Sequence, residues 1–500
     1  MKSTARIALA ILLLASAATD AKTLKMALSG RPPGLGNPYA SMATGGLHPW
    51  GVMFDALTYL GENGRVEPWL ATRWETPNPT TWIFRLRPDV IFANGEPFDA
   101  SAVVAAVEFL KRPESQSLFA SNEVRGIVSA RAIDPLTVEF VTARADAILD
   151  RRLSLIMIVP PKAWADMGAD AFAQQPTGSG PFQLDDWGQT RGRYSLTVNP
   201  TSWRKSASIQ RIEIAPLIDP TPRTQALVSD QVDLAYNIGL DAVEDLSQQG
   251  FGVLVRERSP VEGLALPNNR NLPTNDVRVR RAMNLAVNRA AIADSILRGL
   301  TKGNAQGAVP EMFGYNPDIP DFPFYPEQAK RLLAEAGFPT GFSLTLAARL
   351  EGKGPEWPAI YQAVVQDLAR VGIKVELRAV PAQEWLRMWS TGDWQGADST
   401  PFSWTSTYRD AGRSVETVSC LKVGPFFCVP EMVPEIEAAA ADMSPESRRV
   451  RLQRLLAQLH DLAASLYLFP QIETMAFAPR VTNLQYDGSN VRIEEIALAD

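Results

Sequence analysis

Stretches of strict two-residue alternation give way to stretches of helical spacing along nearly the whole chain. This recurring change of period is what most restricts the fold. Trp82, Phe84 and Leu86 alternate with Ile83, Arg85 and Arg87, the pattern of a half-buried strand. Val103, Val104, Val107 and Leu110 then share one helical face, with Asp99 or Ser101 placed to cap it. Leu136, Val138 and Phe140 read as a strand, as do Tyr194, Leu196 and Val198. Pro326 stands at a first helical position, Leu332 and Leu333 face inward, and Gly337 ends that helix. Ile360, Val364 and Leu368 form a helical stripe up to Gly372, and Ile373, Val375 and Leu377 follow as a strand. Ser444 and Pro445 open a long helix with Leu452, Leu455, Leu459 and Leu462 on its core face. The fold class is therefore mixed α/β.

The 500 residues exceed one ordinary core and imply about two to four domains. Charge is balanced, with 55 acidic and 49 basic residues and a formal charge of -6. No basic patch emerges, so nucleic acid is excluded as the expected partner. Two histidines and two cysteines exclude a multi-histidine metal centre and a disulfide-dense scaffold. No cofactor is implied. Lys2 and Arg6 precede the apolar run Ile7 to Ala15, followed by small residues. This is the order of a secretory signal, read as residues 1–21 with cleavage after Ala21. The run falls short of the ~20 residues that span a bilayer. The mature chain is expected to be periplasmic, soluble and monomeric. In an oxidising compartment Cys420 and Cys428 are expected to form a disulfide.

Enzyme signatures are missing: there is no GxSxG, HExxH, GxxxxGK[ST] or CxxC. Gly34 and Gly36 begin a GxG, but Tyr39 stands where a dinucleotide loop needs its third glycine. His460 lies beside the Leu459 stripe and reads as structural, whereas Asn37 and His48 lie in loops open to a ligand. Asp185 and Asp186 are adjacent and would point to opposite faces of a strand.

The segment 71–98, ATRWETPNPTTWIFRLRPDVIFANGEPF, resembles the signature of the family 5 extracellular solute-binding proteins of ABC importers, the dipeptide, oligopeptide and nickel group. Other landmarks follow in the family's order. PTGSGPF at 176–182, Asn199-Pro200 with Trp203, and Val232-Asp233-Leu234 are similar to family motifs, as are DVRVRRAMNLAVNR at 276–289 and YPEQAKRLLAEAG at 325–337. Arg280 and Arg281 within them are expected at the surface or in salt bridges.

The resemblance implies a two-lobed Venus-flytrap architecture. Lobe I would comprise residues 22–50, 177–265 and 475–500, with 51–176 an extra subdomain, and lobe II would comprise 266–474. The implied function is capture of a small peptide or similar polar solute in the cleft and delivery to the transmembrane subunits of a permease. A secreted hydrolase and a periplasmic peptide-holding chaperone are the alternatives. Opine-like or sugar-derived solutes and metal chelates are alternative ligands. Peptide-binding members carry an aspartate three residues after a tryptophan in this part of the chain. Thr407 takes that spacing after Trp404 here, and Asp410 is the nearest acid. The expected ligand-binding residues are Trp404, Tyr408, Arg409, Asp410, Arg349, Asn37 and His48. Trp357, Trp385, Trp389 and Trp394 are further aromatic candidates.

Overall fold

The computed structural model describes residues 22–32, 34–40, 50–61, 64–188, 192–206, 208–348, 356–422, 424–486 and 491–499. The expected signal segment, His48 and Arg349 lie outside them.

An eight-stranded sheet runs in the spatial order Phe182–Asp186, Tyr194–Val198, Ile209–Pro216, Lys22–Leu28, Leu234–Tyr236, Ser465–Phe477, Gly252–Ala265, Pro401–Trp404. Its two longest strands, Gly252–Ala265 and Ser465–Phe477, pair antiparallel from Gly252 opposite Phe477 to Ala265 opposite Ser465. One end of this ribbon packs with Leu24, Ile212 and Tyr194 in one core. The other end packs against helices of a second region, through Val261 and Tyr467 on one face and Leu264, Leu466 and Phe469 on the other. The chain therefore has two lobes sharing one ribbon. Ala265 and Met475, at the expected lobe boundaries, lie at opposite ends of it. The passage between cores falls instead near Arg258–Val261 and Pro470–Glu473, where Arg258 faces Gln471 and the register shifts.

A separate antiparallel sheet, Ala71–Asn78, Thr81–Leu86, Thr137–Thr142 and Ile127–Asp134, forms within residues 51–176. The alternation at Trp82, Phe84 and Leu86 buries all three side chains. The following helix, Ala100–Lys111, is capped by Asp99, whose carboxylate accepts from the Ser101 amide at 2.8 Å. The two glycines of PTGSGPF serve close packing. A Cβ on Gly178 would fall 2.1 Å from the Met53 carbonyl oxygen, and one on Gly180 2.3 Å from that of Val52.

In the second lobe, the strands Phe342–Ala348 and Ile373–Ala379 pair in parallel around the helix Trp357–Arg370. This is the α/β unit that the stripe at Ile360, Val364 and Leu368 predicts. Its second strand departs from strict alternation, because Leu377 is exposed. Arg280 also departs from expectation. It is buried, and donates to the backbone carbonyls of Leu462 at 2.9 Å and Thr274 at 2.7 Å. It thereby satisfies the Leu462 carbonyl at the end of the helix Pro445–Asp461. Arg281 donates to the Asp461 carbonyl at 2.7 Å.

Cys420 and Cys428 are disulfide-bonded. The intact mass of the protein is expected to be two hydrogens below that of its reduced form, with no alkylation before reduction. Two readily alkylated thiols would contradict the bond.

Candidate functional site

The two lobes and the ribbon enclose a cavity of about 390 Å³. Its first-lobe wall is organised by Asp55, which is fully buried and sits on the short strand Asp55–Ala56. Burying an ionised carboxylate is costly unless partners replace water. Here Asp55 accepts from Trp69 Nε1 at 2.7 Å, Ser179 Oγ at 2.6 Å and Trp203 Nε1 at 3.0 Å, and it pairs with Arg204 at 2.9 Å. Arg204 also pairs with Glu494 at 2.6 Å and lies over the Trp69 ring at 5.0 Å. Tyr59 stacks on Trp69 with centroids 4.6 Å apart, and Arg492 lies over both rings at 5.2 and 5.1 Å.

The ribbon supplies Arg258 and Glu473, which are hydrogen-bonded to each other across the strands. Both line the cavity with Gln471. The second-lobe wall is the loop after Trp404. Thr405, Ser406, Thr407 and Arg409 all face the cavity. Arg409 has a backbone φ of 51°, in the left-handed region. Its guanidinium lies 3.4 Å from the Glu311 carboxylate. Burial pushes the Glu311 carboxyl above its usual range, against the pull of Arg409.

The expected site residues separate into different environments. Arg409 lines the cavity. Trp404 lies behind it in the second-lobe core, 1 % exposed and stacked on Tyr467 with centroids 5.3 Å apart. Tyr408 points away from the cavity, donating to Glu123 and accepting from Arg152 at 3.2 Å. Asp410 is fully buried in a two-bonded pair with Arg448 at 2.6 and 2.8 Å and caps the helix Ala411–Thr417. Burial raises the Asp410 carboxyl, but the Arg448 charge and hydrogen bonds outweigh it and hold it below the usual range. Asn37 is buried and accepts from the Tyr39 amide at 3.0 Å. Trp357 and Trp394 are buried, and Trp385 stacks on Trp389 at 5.6 Å against the second-lobe core. The cavity aromatics are instead Phe54, Tyr59, Trp69 and Tyr236. The sequence gives one signal for Trp69: it lies two residues before the segment that resembles the family signature.

Loop 405–410 also touches the extra subdomain. Arg151 donates to the Tyr408 carbonyl at 3.1 Å and lies 3.7 Å from Asp410, and Arg152 pairs with Glu123 at 3.6 Å. Ala147 donates to the Ala440 carbonyl at 3.0 Å. The two lobes are thus in contact beside the cavity.

The family model for bacterial extracellular solute-binding proteins, family 5, matches residues 65–420. The chain belongs to this family. Its two-lobed fold is that of the periplasmic binding proteins. Among curated family relatives, the chain is 28% identical over 307 residues to the glutathione-binding protein of Salmonella paratyphi A, covering 60% of this chain and 58% of the relative. It is 29% identical over 297 residues to the nickel-binding periplasmic protein of Escherichia coli, covering 57% and 56%. The chain thus spans under two thirds of these relatives. Solved structures match over more of their length. A periplasmic binding protein of Helicobacter pylori in complex with the peptide STSA gives a TM-score of 0.78 at 19% identity, covering 96% of this chain and 98% of that one. NikA of Brucella suis in complex with Fe(III)-EDTA gives 0.81 at 23% identity, covering 96% and 100%.

Two measurements check this anatomy. Trp404→Ala is expected to cost about 3–5 kcal/mol of stability, as a buried aromatic truncation does. Solute affinity of the folded fraction should change less than tenfold, and a large affinity loss at unchanged melting temperature would place Trp404 in the site. The second concerns Asp150, which adjoins the interlobe contacts. Burial pushes its carboxyl up to about 6, opposed by Arg151 and aided by Asp146 and Asp410. A raised folded pKa contributes stability that is complete below the unfolded value and lost as pH rises through about 6. Asp150→Asn is therefore expected to gain stability relative to the parent as pH climbs through that window. Urea unfolding across that window checks it, and a relative loss on the alkaline side would contradict it.

Proposed function

We propose that the protein is the periplasmic substrate-binding component of an ABC importer, which closes its lobes over a small polar solute and presents it to the transmembrane subunits of a permease. The carrying observation is the cavity itself, which is walled by both lobes and by the ribbon that joins them. Such a site exists only when the lobes are closed, so ligand and closed state stabilise one another. Family membership supports the same reading, as do relatives named for binding glutathione and nickel. Export rests on the N-terminal segment. Among the described residues no helix is long and apolar enough to cross a membrane. The protein acts as a monomer in this reading.

Binding without turnover is the better-supported chemistry. His460 lies 3.0 Å from the Ala305 carbonyl and stacks on Phe322 with centroids 4.4 Å apart. That is a structural placement, outside the cavity lining. The cavity walled by opposed lobes also favours a solute receptor over a peptide-holding chaperone.

Protein purified natively and protein stripped by unfolding and refolding are the two samples for the test. Small-angle scattering should show a larger radius of gyration for the stripped sample, and restoring the eluted solute should reverse the change and raise the melting temperature. Identical radii with solute bound would contradict closure.

A further inference from the structure

The cavity wall is charge-balanced as a whole. It holds four carboxylates, Asp55, Glu311, Glu473 and Glu494, and four arginines, Arg204, Arg258, Arg409 and Arg492. Every one of these carboxylates has its arginine. Arg204 serves Asp55 and Glu494 at 2.9 and 2.6 Å, Arg258 serves Glu473, and Arg409 serves Glu311 at 3.4 Å. Arg492 lies 3.5 Å from Glu495. A ligand ammonium would compete with an arginine for each carboxylate, and a ligand carboxylate would compete with an acid for each arginine. Breaking the desolvated pairs at Asp55, Glu494 and Glu473 to admit either is expensive, while Arg409–Glu311 and Arg492–Glu495 are partly exposed.

The remaining surface is of a different kind. Thr405, Ser406 and Thr407 form an uncharged hydroxyl strip on the second-lobe side, with Gln471 beside it on the ribbon. Thr405 donates to the Ser403 carbonyl at 3.3 Å, Ser406 Oγ accepts from the Asp410 amide at 3.0 Å and Gln471 donates to Glu262 at 3.1 Å, and each keeps a further lone pair or proton for a ligand. Half-buried Tyr59, stacked on Trp69, supplies aromatic surface on the first-lobe side. Hydroxyls and amides both donate and accept, which suits a ligand whose own groups do both. Aromatic surface suits a ligand with a flat face of C–H bonds. The volume of about 390 Å³ equals roughly 13 water molecules at ~30 Å³ each, enough for one or two sugar rings.

We infer that the solute is an uncharged, polyhydroxylated molecule of mono- or disaccharide size, and that Tyr59 and the strip Thr405–Thr407 select it. This inference rests on the solute-binding reading above and narrows it away from peptides and metal chelates.

The stripped full-length mature protein is titrated calorimetrically with neutral mono- and disaccharides, with trialanine, with glutathione and with nickel–histidine. At least one saccharide is expected to bind one to one, with affinity insensitive to salt because no ion pair forms. Tyr59→Ala should weaken that saccharide about tenfold or more, with the melting temperature of the unliganded protein little changed. Thr407→Val, which keeps the shape and removes the hydroxyl, should weaken it without unfolding the loop. Failure of every saccharide to bind overturns this inference. Binding and compaction by trialanine or glutathione in their place would leave the importer reading intact. Absence of compaction with any bound solute would overturn that reading as well.

Discussion

The architecture depends on one antiparallel ribbon, Gly252–Ala265 against Ser465–Phe477. A two-lobed receptor must let its halves move while keeping them in register. Backbone hydrogen bonds across paired strands hold the register, and side-chain packing decides which lobe each end belongs to. Leu254 and Met475 pack with the first-lobe core, while Leu264 and Leu466 pack with the second. Between them the pairing shifts at Arg258, Val261 and Gly263. Irregular pairing bends and twists the ribbon at this stretch. The polar residues Arg258, Gln471 and Glu473 fall here because neither core covers them, so the bend of the ribbon is also the floor of the cavity.

Asp55 has the corresponding role inside the first lobe. Its carboxylate gathers Trp69, Ser179, Trp203 and Arg204, four residues from three separate stretches of chain. Two of those stretches contain motifs that resemble family landmarks. Ser179 lies in PTGSGPF, and Trp203 follows Asn199-Pro200. Their glycines and tryptophan build a wall one layer behind the ligand space. A buried carboxylate with this many donors tolerates little change in any of them, since losing one leaves a charge less solvated than it was in water.

Elements with a strong period were legible in the sequence. The strand at Trp82, the helix at Val103, the α/β pair around Ile360 and the capped helix at Ser444 all stand where periodicity and capping residues put them. So does the Cys420–Cys428 bond, which compartment chemistry implies. The cavity was much less legible. Its pairs join residues far apart in the chain: Arg204 with Glu494, Arg258 with Glu473, Arg409 with Glu311. No local spacing encodes such a pair. Trp404 and Asp410 illustrate the converse. Both sit on a loop that meets the cavity, yet Trp404 has a core to fill and Asp410 a buried Arg448 to neutralise. Residue type indicated which groups can bind a solute, and only tertiary placement shows which ones face it.

The distribution of ion pairs bears on how such a receptor reopens. Arg204 with Asp55 and Glu494, Arg152 with Glu123, Arg409 with Glu311 and Arg448 with Asp410 are each contained within one lobe, and Arg258 with Glu473 within the ribbon. One exposed ion pair, Arg144 with Glu437 at 3.6 Å, crosses between lobes, and the buried ionic contacts that cross are additions to groups already neutralised. Arg151 approaches Asp410 at 3.7 Å, but Arg448 already holds that carboxylate. Arg151 also keeps its bond to the Gly64 carbonyl at 2.6 Å inside its own lobe. Tyr408 adds a hydroxyl to a Glu123 that Arg152 already serves. Breaking a desolvated ion pair costs several kcal/mol because a bare charge is left behind. Separating these lobes leaves no such charge, so the cost of opening is confined to lost hydrogen bonds of about 1 kcal/mol each and to newly wetted surface. A solute enclosed in the cavity can then decide between the open and closed states with a binding free energy of ordinary size.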